Sequence, residues 1–527
     1  MKRIRDIINN FIGPYLKNEE REVAARSIMQ QIGLDVYESS ISVNDGQMFA
    51  LLTPKNGKNL LIISGAEELE NKDLSILERR ETEVEHIGLT CFIVKRDHAA
   101  AVHLRRNLTW LQPKVCGLQC SAGLGDRLGS ATPGHVRAVR GSDVFPILAQ
   151  QSIREMSRTK RTPQDVMDDA TWGVLQEGWR SGFGSDADHL KTPADIDSCL
   201  GAGFTMFTFD PGDHVQSAAD TMDSPALADA AEKLPWGELE TTLKDYKKKY
   251  AGRVADLGGG EQLSLDEETV LRAAVKYGPA VAHAKKMYRH LEDRTHGRPF
   301  EVEVSVDETE TPTTLAEHYV IAAELKRLEV KWVSLAPRFI GEFEKGIDYK
   351  GDLQKFEQEY ARHAAIAEAF GPYKLSIHSG SDKFAVYAPA ARLSEGRVHL
   401  KTAGTSYLEA LRVVARKKPE LFRRILDFAF ERFDEDKATY HISARKENIP
   451  TQDQLSDDQL ESILDGNDGR QLLHVTYGSV LTVTEGNKYV YRDELMQVLW
   501  ENEEEHYKVL EEHLGKHVRP FAEQLKK

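Results

Sequence analysis

EVEVSVDET, residues 301–309, is the stretch that decides the fold. Val302, Val304 and Val306 alternate with Glu303, Ser305 and Asp307, and successive side chains of a β-strand point to opposite faces. The valines therefore pack against helices, while the polar residues face an enclosed interior. A buried carboxylate needs a metal, a cation or a proton beside it, so an interior Glu and Asp on one strand demand partners from neighbouring strands.

Those partners lie further along the chain. YKLSIHS from Tyr373 sets Ser376 and His378 opposite Leu375 and Ile377, and VHLKTAG from Val398 puts His399 and Lys401 on one face. Five more short apolar runs are read as strands: VCGLQC from Val115, VFPILAQ from Val144, FGSDAD from Phe183, FTMFTFD from Phe204 and VKWVSLA from Val330. Helix-like stretches such as LAEHYVIAAELKRL from Leu315 and LQKFEQEYARHAAIAEAF from Leu353 separate several of them. Eight strand–helix units in succession predict an α/β chain whose residues 113–527 form a closed (β/α)₈ TIM-like barrel. Residues 212–299 are too long for an ordinary connection. They hold a predicted helix from Val270 and a loop excursion that includes DLGGGEQ at Asp256. The tail after about Ala410 reads as a helical extension that completes or caps the barrel. Residues 1–112, with the runs MFALLTP, NLLIISG and LTCFIV, read as a small α/β domain with a structural or oligomerising role. A homo-oligomer is left open.

Composition narrows the partners. Acidic residues outnumber basic ones, 84 to 69, for a net charge of −15, which opposes non-specific nucleic-acid binding. No apolar run approaches the roughly 20 residues that span a bilayer. The start, MKRIRDIINNFIGPYLKNEE, lacks a signal peptide's continuous apolar core. The four cysteines form neither a zinc-ribbon nor a disulfide spacing. A cytoplasmic protein acting on a small molecule is expected.

Working groups in such barrels gather at the C-terminal ends of the strands. Gln150 and Gln151 close the second strand, with Arg154 just beyond, and are candidates for substrate binding. Asp186, Asp188 and His189 close the third, and Asp210 the fourth. His189, Asp307 and His378 offer the mixed imidazole and carboxylate donors of an open divalent-metal site, with Glu303 and His399 as spares. Arg338 and Lys401 either neutralise interior carboxylates or hold a substrate carboxylate. No G-x-G-x-x-G fingerprint follows any strand, so a nicotinamide cofactor is not expected.

Together these motifs resemble the tagaturonate/fructuronate epimerases. The likeness is carried by SAGLGDRLGSATPGHVRA from Ser121, FPILAQQSIRE from Phe145, DDATWGVLQEG from Asp168, GFGSDADHLK from Gly182 and GFTMFTFDPGDHV from Gly203. It continues through EVSVDETETPT from Glu303, RFIGEFEKGIDYKGD from Arg338, HSGSDKF from His378, HLKTAGTSYLEA from His399 and HVTYGSVL from His474. The resemblance implies interconversion of the two sugar acids in bacterial hexuronate breakdown, with a divalent metal whose identity (Zn, Ni, Mn, Co or Fe) is not specified. Within the motifs, Asp188 is assigned as general base, Glu303 as general acid, and His189, Asp307 and His378 as metal ligands. The inverted carbon lies β to the ketone, where simple α-proton exchange does not reach, so retro-aldol cleavage and re-addition is the expected route. A metal-dependent sugar-acid isomerase or aldolase is the rival enzyme reading.

Overall fold

The computed structural model describes residues 32–84, 87–258 and 260–526; the amphipathic start, residues 1–20, lies outside them. The first sheet of the described residues is antiparallel: β1 (Ser42–Asn44), β2 (Gln47–Leu51), β3 (Leu60–Ser64), β4 (Ile76–Val84) and β5 (Ile87–Val94), in the order β1-β2-β3-β5-β4. Its two faces have different neighbours. Phe49, Leu51, Leu60, Ile62, Phe92 and Val94 join the main core beneath the barrel, whereas Met48, Ala50, Leu61, Ile63 and Cys91 form a small core of their own. The charged strand β4 lies at the edge, where charge discourages pairing with another chain.

Eight parallel strands then close a barrel: β6 (Ser121–Leu124), β7 (Phe145–Ser152), β8 (Gly184–Leu190), β9 (Met206–Phe209), β12 (Glu301–Val306), β13 (Ser334–Pro337), β14 (Lys374–Ile377) and β15 (Val398–Thr402), with β15 pairing back onto β6. Seven of these overlap the expected runs. The first does not, because VCGLQC is a turn in which Gly117 is left-handed and Val115 and Leu118 are exposed. The strand is the small-residue SAGL that follows. Interior crowding explains the choice of residues: a Cβ on Gly123 would lie 3.1 Å from the Gln150 side chain.

Local sequence starts several of the outer helices. Thr162 and Thr192 cap their helices in reciprocal boxes with Asp165 and Asp195, each followed by proline at the first helical turn. Within residues 212–299, residues 256–258 and 261–262 of the DLGGGEQ stretch lie in an antiparallel strand pair, β10 (Arg253–Gly258) with β11 (Glu261–Leu265), where a loop was expected. The helix there runs Glu267–Thr295. The outer ring of helices closes through the tail. The last helix, Glu503–Leu525, packs between Thr132–Val139 and Phe384–Leu393 and takes the eighth place in the ring. The helix after β15, Thr405–Lys417, instead joins the other tail helices in a separate core. Among the described residues, no helix is long and apolar enough to cross a membrane.

Candidate active site at the barrel mouth

The interior of the barrel is organised around one lysine. The Lys401 ammonium lies 2.8 Å from Asp186, 2.7 Å from Asp188 and 2.9 Å from Glu303, and donates to Thr208 at 2.6 Å. Burial opposes its charge, but the three carboxylates outweigh it and raise Lys401 well above the usual ammonium range. Its three N–H donors are all engaged by the protein. Of its two expected roles, neutralising interior carboxylates is the one this geometry supports. Asp186 is pushed up to about 6 by burial, with Lys401 pulling the other way. In Asp188 burial also favours the neutral form, but His189, Lys401 and His378 outweigh it and keep the carboxylate ionised.

Asp188 and His189 are sequence neighbours, so strand alternation alone would send them to opposite faces. The register of β8 against β9 shifts between Ala187 and Leu190, and His189 adopts a left-handed backbone with φ 52°. This irregularity re-aims the imidazole, and both side chains line the same cavity. Gln150 lines it too, donating to Asp188 Oδ2 at 3.3 Å. Gln151 is buried but is not part of the cavity wall, so the substrate-binding role expected of it has no support from its position.

His189, Asp307 and His378 each bring one ligand atom to within 4.8 Å of the others. The two rings meet edge to face at 5.1 Å. His378 Nδ1 faces Asp307 Oδ1 at 3.0 Å, but not in hydrogen-bond geometry. Its Nε2 is 2.6 Å from Glu303 Oε1. His189 Nδ1 likewise lies 3.3 Å from Asp210. His378 thus has one nitrogen held by Glu303 and the other turned toward Asp307, and His189 has one nitrogen held by Asp210, the kind of support usual for metal-ligating histidines. Charge points the same way. Asp186, Asp188, Asp210, Glu303 and Asp307 are close to Lys401 or the two rings, and among the described residues the ammoniums paired with these five carboxylates are Lys401 and, 4.0 Å from Asp210, Lys191. Their excess negative charge drives His189 up to about 9 and His378 up to about 10 against the effect of burial. A divalent cation would supply the same positive charge as the two extra protons. The donor set therefore fits such an ion.

Glu303 is placed differently from expectation. It is fully buried, its oxygens face His378, Lys401 and Ser334, and it does not border the cavity. A direct general-acid role does not suit that position. His399 lies deeper in the barrel, bonded to Ser121 at 2.9 Å, and is no part of the cluster. Arg338 borders only the outer part of the mouth, where its guanidinium donates to the Thr309 carbonyl.

Three functional candidates escaped the sequence reading. Arg127 sits in the wall, paired with Glu155 at 2.8 Å and stacked 3.6 Å above Tyr477. Misplacing the first strand hid it, since the true β6 ends three residues before it. Lys345 and Tyr440 line the mouth from irregular segments that carry no periodic signal. A larger cleft, about 810 Å³, opens near Arg140 and Trp179, away from this charged cluster.

Comparison with known proteins shows the family to which the chain belongs. The model of the tagaturonate epimerase family (UxaE) matches residues 37–521. A tagaturonate/fructuronate epimerase of Thermotoga maritima is 44% identical over 488 residues, covering 92% of this chain and 96% of that protein. A glycerol-complexed crystal structure of the fructuronate-tagaturonate epimerase of Cohnella laeviribosi superposes with a TM-score of 0.84 at 38% identity, covering 95% of this chain and 99% of that one. A second, with two glycerols, gives 0.85 at 39%, covering 94% and 99%. With the family model matching almost the whole length, and relatives this similar covered nearly end to end, the chain belongs to the tagaturonate epimerase family, a family of isomerases.

Proposed function

We propose that this chain interconverts D-tagaturonate and D-fructuronate at the barrel mouth, with a divalent transition metal held by His189, Asp307 and His378. The observation that carries the reading is the likeness, along nearly the whole chain, to proteins named for this reaction. The imidazole–carboxylate mouth supports it with the donors and proton carriers the chemistry needs. Four free, buried cysteines suit the reducing cytoplasm included in this reading.

The two sugar acids differ at a hydroxyl-bearing carbon β to the ketone. Inversion there follows if the bond between the α and β carbons breaks, the β carbon becomes an aldehyde, and the aldehyde turns before the bond re-forms. A bound divalent cation supplies Lewis acidity toward the ketone and stabilises the negative charge that cleavage leaves beside it. Asp188 is ionised and borders the cavity, so it takes the hydroxyl proton as the bond breaks and returns it to the same oxygen as the bond re-forms. Gln150 and Lys401 fix its two oxygens. Glu303 acts through His378: by facing Nε2 it sets which ring nitrogen turns toward Asp307.

NMR of tagaturonate incubated with the protein tests the activity. Fructuronate should accumulate to the same final ratio that is reached from fructuronate itself. Released fragments or a displaced carbonyl would instead indicate an aldolase or an isomerase. In D₂O the inverted carbon should keep its hydrogen, since only O–H and C–C bonds change there; deuterium at that carbon would contradict the cleavage route.

A further inference from the structure

Four cations border the mouth, Arg127, Arg154, Lys345 and Lys401. Arg127 is committed to Glu155, Lys401 to three carboxylates, and Arg154 lies 3.0 Å from Glu308. Lys345 differs. Among the described residues its ammonium has no carboxylate within 4 Å, and its one hydrogen bond is to the neutral Ser379 hydroxyl at 2.7 Å. An ammonium has three donors, so two remain to be satisfied in a half-buried wall, where an unpaired charge is costly.

Position adds a second observation. Lys345 and Arg154 border both the inner cavity and the outer one, about 280 Å³, which meet at His378 and Ser379. Burial and then the nearby Arg154 charge hold the Lys345 ammonium below its usual range. Two cations sharing one space repel each other, and an anion between them removes the conflict. Ser379 follows His378 directly in the chain, so the hydroxyl that pins Lys345 is tied to the imidazole cluster.

We propose that Lys345, with Arg154 beside it, binds the substrate's carboxylate and so places the ketone end of the sugar acid against the His189–His378 cluster. The inference deepens the epimerase reading and rests on it. It also moves the carboxylate-binding role away from Arg338, whose guanidinium is engaged by the Thr309 carbonyl and ties down the loop after β12.

The test is calorimetry on the metal-loaded protein with two unreactive probes, D-gluconate and its uncharged counterpart D-glucitol, together with tagaturonate kinetics. Lys345→Met should weaken gluconate binding and raise KM for tagaturonate, each by roughly 100-fold, the cost of removing one partner of a desolvated charge pair. Glucitol affinity and metal content should stay unchanged, and Lys345→Arg should recover most of the loss. Arg154→Ala should cost gluconate about tenfold and glucitol nothing, which keeps the test decisive if Lys345→Met fails to fold. Wild-type gluconate affinity in folded Lys345→Met, or equal losses for both probes, would overturn the inference. So would unchanged gluconate binding in Arg154→Ala should the methionine variant not fold. A wild-type protein that binds gluconate through Lys345 yet never converts tagaturonate would refute the epimerase reading and leave the anion site standing.

Discussion

Two clusters in this molecule contain the same side chains at the same spacing. His189, Asp307 and His378 meet at the barrel mouth; Asp382, His513 and His517 meet where the last helix packs on the loop after β14. In the second, every inward atom is already occupied. His517 Nδ1 donates to the His513 carbonyl at 3.1 Å, and its Nε2 accepts the Asp382 N–H at 2.9 Å. Asp382 is bonded to His513 at 2.6 Å and to Arg470 at 3.0 Å. Arg470 also reaches Glu409, which Arg412 pairs as well, so two carboxylates meet two guanidiniums. At the mouth, by contrast, His378 Nδ1 faces Asp307 without a hydrogen bond, and five carboxylates meet two paired ammoniums, Lys401 and Lys191. Spacing alone therefore does not make a metal centre. Holding an ion also takes uncommitted lone pairs and an uncompensated negative charge.

The comparison can be broken most directly at His378. His378→Ala should lower turnover by more than about 100-fold and strip the metal, since loss of even an outer-sphere partner typically costs 10–100-fold. Elemental analysis of the purified variant checks the second part. Asp382→Ala should do the reverse. It leaves Arg470 short of a partner in a buried site, so unfolding in urea should show a loss of about 3–5 kcal/mol, while metal stoichiometry stays at the wild-type value. Metal loss without destabilisation in Asp382→Ala would mean the two clusters have been assigned the wrong way round.

A smaller effect is expected one step out from the metal. Asp210→Asn keeps shape but weakens the acceptor facing His189 Nδ1, so metal affinity measured by competition with a chelator should fall about 10- to 100-fold. The fold should be unaffected.

The smallest effect concerns pH. Burial, only partly offset by Asp382, pushes His517 down to about 4, with His513 and Arg470 adding to the shift. An unfolded histidine protonates near 6.5, so between pH 6.5 and 4 the unfolded chain binds a proton that the folded one refuses. Stability present above pH 6.5 is lost as pH falls through that window, at about 1.4 kcal/mol per unit for this group. His517→Gln should flatten the slope of stability against pH by one proton. An unchanged slope would show that His517 is not held neutral.

The barrel was legible because its strands announce themselves twice, in alternating polarity and in apolar length, and EVEVSVDET shows both. β6 was misplaced because its residues are small for a packing reason, and SAGL carries no apolar signal. The candidate site was legible where its residues lie at strand ends, as with Asp188, His189, Asp307 and His378, which the structure brings together at the mouth. It was obscure where a side chain's role depends on what lies opposite. Glu303 and Gln151 occupy strand positions like those of true cavity residues, and only the three-dimensional wall separates them from Asp188 and Gln150. Lys345 lies in EFEKG, an irregular segment, and its charge gains meaning only because no carboxylate among the described residues pairs with it. The stretch from Asp256 shows the converse, since residues that read as a loop pair as strands, Asp256 with Gln262 and Gly258 with Glu261.

The proposed reaction depends on a divalent metal at the mouth cluster. Tagaturonate conversion by the chelator-dialysed protein, followed by NMR with metal content verified by elemental analysis, tests that claim most directly. Turnover should vanish on dialysis and return with one equivalent of a divalent transition metal per chain; full turnover in verified metal-free protein would contradict it.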